Sequence, residues 1–336
     1  MGLRYHRRIP EHTWPSALDE LFSNSITCEY ASLTNSGAPV TVPTTPYLGP
    51  DGTIDVSTGL TYPAKAERAR RNPRVCLLFA DPLGEGMRTA PVALVQGHAA
   101  VRDLDLQANT DRYVRLSQSK LPDATKGQPK VLLKQMKFYY ARIWIEITPL
   151  RILWWSDRST AETPEQWRAP EGTPMPGSDP APPGSEPPAW RAPPTDWRPI
   201  AQRALSGLPL ADLTTVDDQG VPFCIPVRTM AGIQGNAVIL QVGAGVPDLH
   251  AGPACLTLHG HPERFTGQEN HTFVGSLEPG VDSSRFRVQR ALADWSLVGN
   301  RAKTAGSFLK ARRTLTPRLE AEAARRGQPV PEVRFT

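Results

Sequence analysis

Along this chain apolar positions fall mostly in strand-length runs and alternations, and helical spacing is confined to a few stretches. Leu18, Leu21 and Phe22 repeat at helical spacing behind Pro15, which predicts a short amphipathic helix over 15–24. A strand over 28–34 follows. Val75 to Ala80 is a continuous apolar run, too short for a helix and suited to a buried strand. Val92 to Val101 reads as another strand, with Gly97 as a bulge or bend. Asp103 to Leu116 and Val131 to Met136 read as helices. From Tyr139 to Trp155 the pattern alternates. Arg142, Trp144, Glu146 and Thr148 take one face, Ile143, Ile145 and Ile147 the other, and Pro149 predicts a bend or an edge position. Asn300 to Arg326 reads as a basic helix that Pro317 kinks or divides.

Between these regions the character changes. Residues 156–199 are dominated by Thr163-Pro164, Pro174-Met175-Pro176, Ala181-Pro182-Pro183 and Glu186-Pro187-Pro188, the composition of a semi-rigid, extended linker. Trp167, Trp190 and Trp197 do not suit a free linker, so the segment is expected to dock and wrap. This divides the chain into a first domain over 1–157, a proline-rich linker over 158–198 and a second domain over 199–336 that ends in a helix.

Composition then narrows the function classes. The chain has 336 residues, 35 of them proline, and a net charge of +5, without the dense Lys/Arg block that would point to nucleic acid. Cys28, Cys76, Cys224 and Cys255 form no Cys-x-x-Cys pair, which removes zinc-ribbon and thioredoxin-type readings. Arg4, Arg7 and Arg8 precede no apolar stretch, so no secretory signal is read, and no run is long enough to span a bilayer. The expectation is a cytoplasmic protein with reduced thiols and neither a nucleic-acid nor a membrane partner.

The chemistry concentrates at Asp55-Val56-Ser57-Thr58-Gly59, followed by Lys65 at the head of a basic helix and by Asn72-Pro73-Arg74-Val75 before an apolar strand. Hydroxyls, a glycine and a lysine at a strand-to-helix turn suit a phosphate; an ordinary capped turn has the same composition. Upstream lie Tyr30-Ala31-Ser32-Leu33-Thr34, the turn Asn35-Ser36-Gly37, Pro39-Val40-Thr41-Val42-Pro43 and the turn Pro50-Asp51-Gly52; downstream comes Val92 to Val101. This ordered set, over about 14–155, resembles the pyridoxamine 5′-phosphate oxidase-like superfamily, split β-barrels that bind FMN, a deazaflavin or, in some members, haem.

The first half recurs after the linker. Ala211 to Thr215, the turn Asp217-Asp218-Gln219-Gly220 and Pro222-Phe223-Cys224-Ile225-Pro226 repeat the order of Ala31 to Thr34, Asn35-Ser36-Gly37 and Pro39 to Pro43. Gly252-Pro253-Ala254-Cys255 matches Asn72-Pro73-Arg74-Val75, and Phe273 to Leu277 stands where Leu94 to His98 stood. The resemblance therefore implies a mainly β (α+β) fold of two tandem split β-barrels with peripheral helices. Recurring Gly and Pro turns in two unrelated β domains would give a similar pattern.

By the same resemblance Lys65 carries the cofactor phosphate, with Ser57, Thr58 and Gly59 beside it. Thr41, Pro43 and Thr44 would support the isoalloxazine ring, and Gln96 would give a polar contact. Arg228, Arg290 and Trp295 are candidates to face a small-molecule substrate. The cofactor implied is FMN, with deazaflavin F-420 or haem as alternatives, and no metal is expected. The activity implied is a flavin-dependent oxidoreductase, alternatively a deazaflavin-dependent reductase or a non-catalytic flavin- or haem-binding protein. The partner barrel would come from a homodimer or from the second repeat.

The departures matter. Ala64 stands where the B6 oxidases carry an arginine, Pro39-Val40-Thr41 where they carry another, and the C-terminal stretch from Glu332 to Thr336 lacks their closing positions. A true vitamin B6 oxidase is therefore not expected. The second repeat has no lysine or arginine between Gly243 and His250. Gly243-Ala244-Gly245 lacks the third glycine of a dinucleotide-binding turn. His259-x-His261, with His250 and His271 nearby, is the remaining candidate for metal or haem ligation. A nucleophile elbow and a Walker lysine are both lacking.

Overall fold

The computed structural model describes residues 14–81, 91–124, 126–184, 196–208, 210–262, 265, 267–292, 295–296 and 301–335. Trp190 and the N-terminal arginines lie outside them, as does the side chain of Trp295. A turn at Ser16–Leu18 runs into α1 (Asp19–Asn24), which seats Leu21 and Phe22 in the core.

Strands β1 (Cys28–Leu33), β2 (Pro39–Thr44), β3 (Tyr47–Leu48), β4 (Ile54–Gly59), β5 (Arg74–Phe79), β6 (Val92–Arg102) and β7 (Arg142–Trp155) build the first sheet. Its order is β2-β1-β5-β6-β7-β4-β3, with β8 (Glu165–Arg168) paired to β7. Helix α2 (Ala64–Arg71) joins β4 to β5, and α3 (Leu106–Lys120), α4 (Lys130–Lys134) and α5 (Lys137–Tyr140) join β6 to β7. Residues 137–140 are thus helical and the long strand begins at Arg142, later than the alternation suggests. β7 continues through Pro149, which pairs with Gly97 at the β6 bulge and lies between the stretches paired to β4 and β8 on the other edge.

After α6 (Trp197–Gly207) come β9 (Leu210–Val216), β10 (Pro222–Pro226), β11 (Arg228–Gln234), β12 (Ala237–Gln241), β13 (Gly252–Gly260), β14 (Glu269–Glu278), β15 (Ser284–Ala291) and β16 (Trp295–Ser296). The second order, β10-β9-β13-β14-β15-β12-β11, is the first with eight added to each strand number. The chain is a mainly β protein of two curled antiparallel sheets.

Ladder registers align the copies residue by residue. Ala31 pairs with Thr41 and Cys76, and Thr214 pairs with Cys224 and Cys255. Cys255 therefore lies on Cys76, and Pro253 on Arg74 rather than on Pro73, one residue from the match that the Pro turns suggest. Gly97 and Gly275 fall at the same bulge. A Cβ at Gly97 would lie 2.6 Å from the Thr148 carbonyl oxygen, and one at Gly275 would meet that of Arg287, so the close backbone approach needs glycine in both copies.

The barrels share one hydrophobic cluster. Ala31, Cys76, Leu78 and Leu94 of the first pack with Leu213, Phe223, Cys224 and Leu256 of the second, and Trp197, which opens α6, joins them. All four cysteines are free and buried. The linker wraps the first barrel: Trp167 packs on its core, and Asp179 accepts from the backbone N–H groups of Asp103 (2.7 Å) and Leu104 (3.0 Å). The last helix, α7 (Arg301–Arg325), is unbroken at Pro317 and returns to the first barrel, where Leu315, Leu319 and Ala323 enter the core. The division at 199–336 assigns it to the second. Among the described residues no helix is long and apolar enough to cross a membrane.

Candidate functional site

In the β4–β7 ladder Gly59 lies opposite Arg142 and Ser57 opposite Trp144. Opposed residues of an antiparallel pair share a face. Ile143, Ile145 and Ile147 turn into the core, so Ser57, Gly59, Arg142 and Trp144 take the outer face, where Trp144 donates its Nε1–H to the Asn109 carbonyl of α3 at 3.0 Å. The Arg142 guanidinium lies 4.0 Å from the Tyr113 ring centroid and 4.8 Å from that of Tyr139, which fixes its charge in place. Its Nε is buried without a hydrogen-bond partner.

Two lysines lie on this side of the first barrel, one beside Arg142 and one beside Tyr47. Lys65, in the first turn of α2, is half-buried and has neither a hydrogen bond nor an ion pair among the described residues. Lys120, the last residue of α3, donates to the Pro46 carbonyl at 2.6 Å. Both act on the Cys28 thiol, and Cys28 pairs with Thr44 at the end of β2. Burial, followed by the charges of Arg142 and Arg68, pushes Lys65 down to about 8; burial also pushes Lys120 down to about 8. Among the described residues no carboxylate pairs with Lys65, Lys120 or Arg142. Unbalanced positive charge in a partly desolvated place is a receptor for a multiply charged anion, which would restore the charged lysines.

The structure brings only some of the sequence-predicted residues here. Ser57 and Gly59 lie on the strand face of Arg142, whose charge acts on Lys65, and Thr44 pairs with Cys28, on which Lys65 also acts. Thr58 turns its hydroxyl to the Tyr62 carbonyl at 2.8 Å, inside the strand-to-helix turn. Thr41 is fully buried between the barrels: its hydroxyl meets that of Thr214 at 2.5 Å, and its carbonyl accepts from Thr257 and Thr272. Gln96 donates across the same interface to Asp217 (2.8 Å) and to the Pro222 carbonyl (3.1 Å). Arg228 and Arg290 are exposed on the second barrel. Arg142 and Lys120 are the residues that sequence reasoning missed. They open and close elements far from Lys65 in the chain, and the one signal was Arg142 on the same strand face as Trp144.

The equivalent place in the second barrel is built differently. Counting from the ladders, Ile54 opposite Ile147 corresponds to Val238 opposite Phe286, so Gly59 falls on Gly243 and Arg142 on the exposed Val281. There Ser159 and Thr160 of the linker lie against Gly243, and Gly245 donates its N–H to the Thr160 carbonyl at 2.9 Å. Linker backbone covers the position that the first barrel leaves to its cations.

A second polar cluster lies between the barrels. Arg158 donates to the Ala80 carbonyl of the first barrel (2.6 Å) and to Asp212 of the second (2.8 Å). His261 meets Asp81 at 2.7 Å, and Asp81 also accepts from Thr27 at 2.7 Å. His259 lies 2.8 Å from Glu29 and 3.4 Å from Asp212. Burial disfavours the His259 charge, but the Glu29 and Asp212 carboxylates outweigh it and hold the imidazole up to about 10. Elsewhere, a cleft of about 490 Å³ between α4, α5 and α7 is lined by Lys134, Lys137, Phe138, Arg312, Leu319 and Glu320, and there Lys137 pairs with Glu332.

No family model matches the chain, and no curated protein does. Solved structures resemble part of it. An F-420 reductase is 14% identical over 41% of this chain and 98% of its own, with a TM-score of 0.32. A conserved hypothetical protein from Mycobacterium tuberculosis is 24% identical over 43% of this chain and 85% of its own, with a TM-score of 0.33. General stress protein 26 from Bacillus anthracis is 15% identical over 45% of this chain and 95% of its own, with a TM-score of 0.29.

Proposed function

We propose that the chain is a flavin-dependent oxidoreductase acting on a small organic substrate, with one FMN site per chain at the Lys65 rim of the first barrel. The observation that carries this reading is Lys65 and Arg142, two cations that no carboxylate pairs with among the described residues, beside Ser57 and the open face of Gly59, with Lys120 a third unpaired cation whose charge reaches the same Cys28 thiol as that of Lys65. The fit to a phosphate is chemical. Arg142 Nε is a buried donor without an acceptor, and the space over Gly59 is bounded by the Arg142 guanidinium, 3.6 Å from where a Cβ would stand. Lys65, Lys120 and Arg142 would neutralise the phosphate, Ser57 would donate a hydrogen bond to it, and the Pro43–Thr44 edge would border the ring. When bound, the cofactor supplies hydride or electron transfer; the protein orients it and excludes water.

A deazaflavin is the second reading. Arg68 adds a fourth cation within reach of Lys65, more charge than one phosphate dianion requires and suited to a cofactor with a further anionic tail. The testing experiment is a visible spectrum of the purified protein with mass spectrometry of what heat releases, followed by titration with FMN and F-420. Binding of either that Lys65→Ala weakens by about tenfold or more supports the reading, and which of the two binds tells the cofactors apart. A protein that binds neither is left as a non-catalytic two-barrel module.

A further inference from the structure

We propose that Glu29, Asp212 and His259 form a zinc-class divalent metal site that pins the two barrels together. Counted from Ala31 and Thr214, Glu29 and Asp212 are the same position of the repeat, and equivalent residues that meet lie about the axis relating the copies. Their oxygens and a His259 ring nitrogen fall within 4.8 Å of one another, and all three residues are fully buried.

The contacts have ligand spacing without hydrogen-bond direction. His259 Nε2 lies 2.8 Å from Glu29 Oε1 and 3.4 Å from Asp212 Oδ2. The carboxylates face the imidazole as charge partners, but the direction of approach leaves both Glu29 oxygens, Asp212 Oδ2 and both His259 nitrogens without a well-aligned hydrogen bond. Buried polar atoms are normally satisfied, and five orphans in one place ask for a common partner. Atoms bound tetrahedrally to one ion at about 2.0–2.2 Å stand about 3.3–3.6 Å apart, so the His259–Asp212 spacing of 3.4 Å fits and the His259–Glu29 contact of 2.8 Å would open slightly on binding. Asp212 Oδ1 is already fixed by Arg158 at 2.8 Å, the kind of outer partner that orients a ligating carboxylate.

The donor set selects the ion. Magnesium keeps several waters and calcium takes six to eight oxygens, neither of which suits a fully buried place with one imidazole. One nitrogen with two or three carboxylate oxygens suits Zn²⁺. The site departs from the sequence expectation of no metal and uses only half of His259-x-His261, because His261 turns to Asp81. It stands apart from the cofactor reading, since none of its residues belongs to the Lys65 rim.

The test is Zn²⁺ titration of the chelator-stripped full chain by calorimetry, with metal content measured after gel filtration. One tightly held Zn²⁺ per chain is expected in the wild type and in His250→Ala, a change at a surface imidazole. In His259→Gln and Glu29→Gln, checked for folding by circular dichroism, affinity should fall by about 100-fold or more, since an outer partner alone is worth about 10–100-fold. A folded wild type that retains no Zn²⁺, or a folded His259→Gln with unchanged affinity, overturns the proposal. If the variants do not fold, Co²⁺ in the wild type decides: intense low-coordinate visible bands support the site, and the weak bands of a six-coordinate ion overturn it.

Discussion

Gly59 and Gly243 are the same position of one repeated barrel, and they end up in opposite surroundings. Over Gly59 the first barrel aims the Arg142 guanidinium, with Lys65 and Lys120 nearby; over Gly243 the second receives Ser159 and Thr160 of the linker. Strand order, bulge glycines and shared core are common to both, so the fold does not make the difference. Three side chains and a few residues of linker do. A site here is a set of charges placed on a scaffold that can equally well be closed.

The largest expected effect comes from undoing the closure. Arg158, beside the covering segment, ties it to Ala80 of one barrel and Asp212 of the other. Arg158→Met keeps much of the bulk and takes the guanidinium from Asp212, which is fully buried, leaving it only the His259 imidazole 3.4 Å away. Removing one partner of a buried pair costs about 3–5 kcal/mol, and because Arg158 is partly exposed the loss should fall at about 3 kcal/mol. Urea denaturation should show that loss, and proteolysis should cut the linker near Arg158 first. An unchanged midpoint would mean that the second barrel is closed by its own core and not by this strap.

Opening the charged side is the next test. If the proposed FMN site holds, Lys65→Ala removes a charge-assisted contact to its phosphate, worth about 1.5–3 kcal/mol, or roughly 10–150-fold in affinity. Flavin fluorescence titration measures it. The mirror change, Val281→Arg, places a guanidinium where Arg142 stands in the first barrel and should create no second site, because the linker occupies that space. Two equivalents of flavin bound by Val281→Arg would break the comparison.

Much of the scaffold was legible in the sequence because it is written locally. The apolar run of β5, the bulge at Gly97 and the recurring Gly-Pro turns specify strands and a repeat from neighbouring residues. Lys65, Ser57 and Gly59 could be named together for the same reason, being one continuous motif. Arg142 and Lys120 were not, since they reach the rim through ladder register and helix packing across more than fifty residues of chain. Thr41 and Gln96 carry no local sign that they face the other barrel and not a ligand. The linker's proline content announced an extended segment, but where Thr160 lands depends on the second barrel having a glycine to receive it.

A steric comparison sharpens the same pair of glycines. A Cβ at Gly59 would have 3.6 Å to its nearest neighbours, whereas one at Gly243 would run into the Ser159 and Thr160 backbone. Gly243→Ala should therefore cost about 1–2 kcal/mol, within the usual range for overpacking. Gly59→Ala should leave the melting temperature nearly unchanged while weakening flavin binding by narrowing the space over Arg142. Equal losses of stability at both sites would show that the rim is as closed as its counterpart.

The smallest effect is also the one that reads the charges directly. Lys65 and Lys120 are held down to about 8, against an ordinary value of 10.5. Between those values the unfolded chain binds more protons than the fold, so the stability of the unliganded protein rises with pH across this window, and below about 8 the cost of burying both charges is fully present. Anion affinity has the opposite sign, because it needs the protonated lysines. Half a unit above its pKa a lysine is roughly one-quarter protonated, so phosphate or flavin affinity should fall about fourfold per lysine at about pH 8.5. Replacing Lys120 with Met should halve the logarithmic slope and leave the remaining dependence to Lys65. The second barrel, with no lysine or arginine between Gly243 and His250, has nothing at the equivalent position to titrate in this range. A flat affinity profile from pH 7 to 9 would place the anion away from both lysines and remove the charge difference on which the comparison of the two barrels rests.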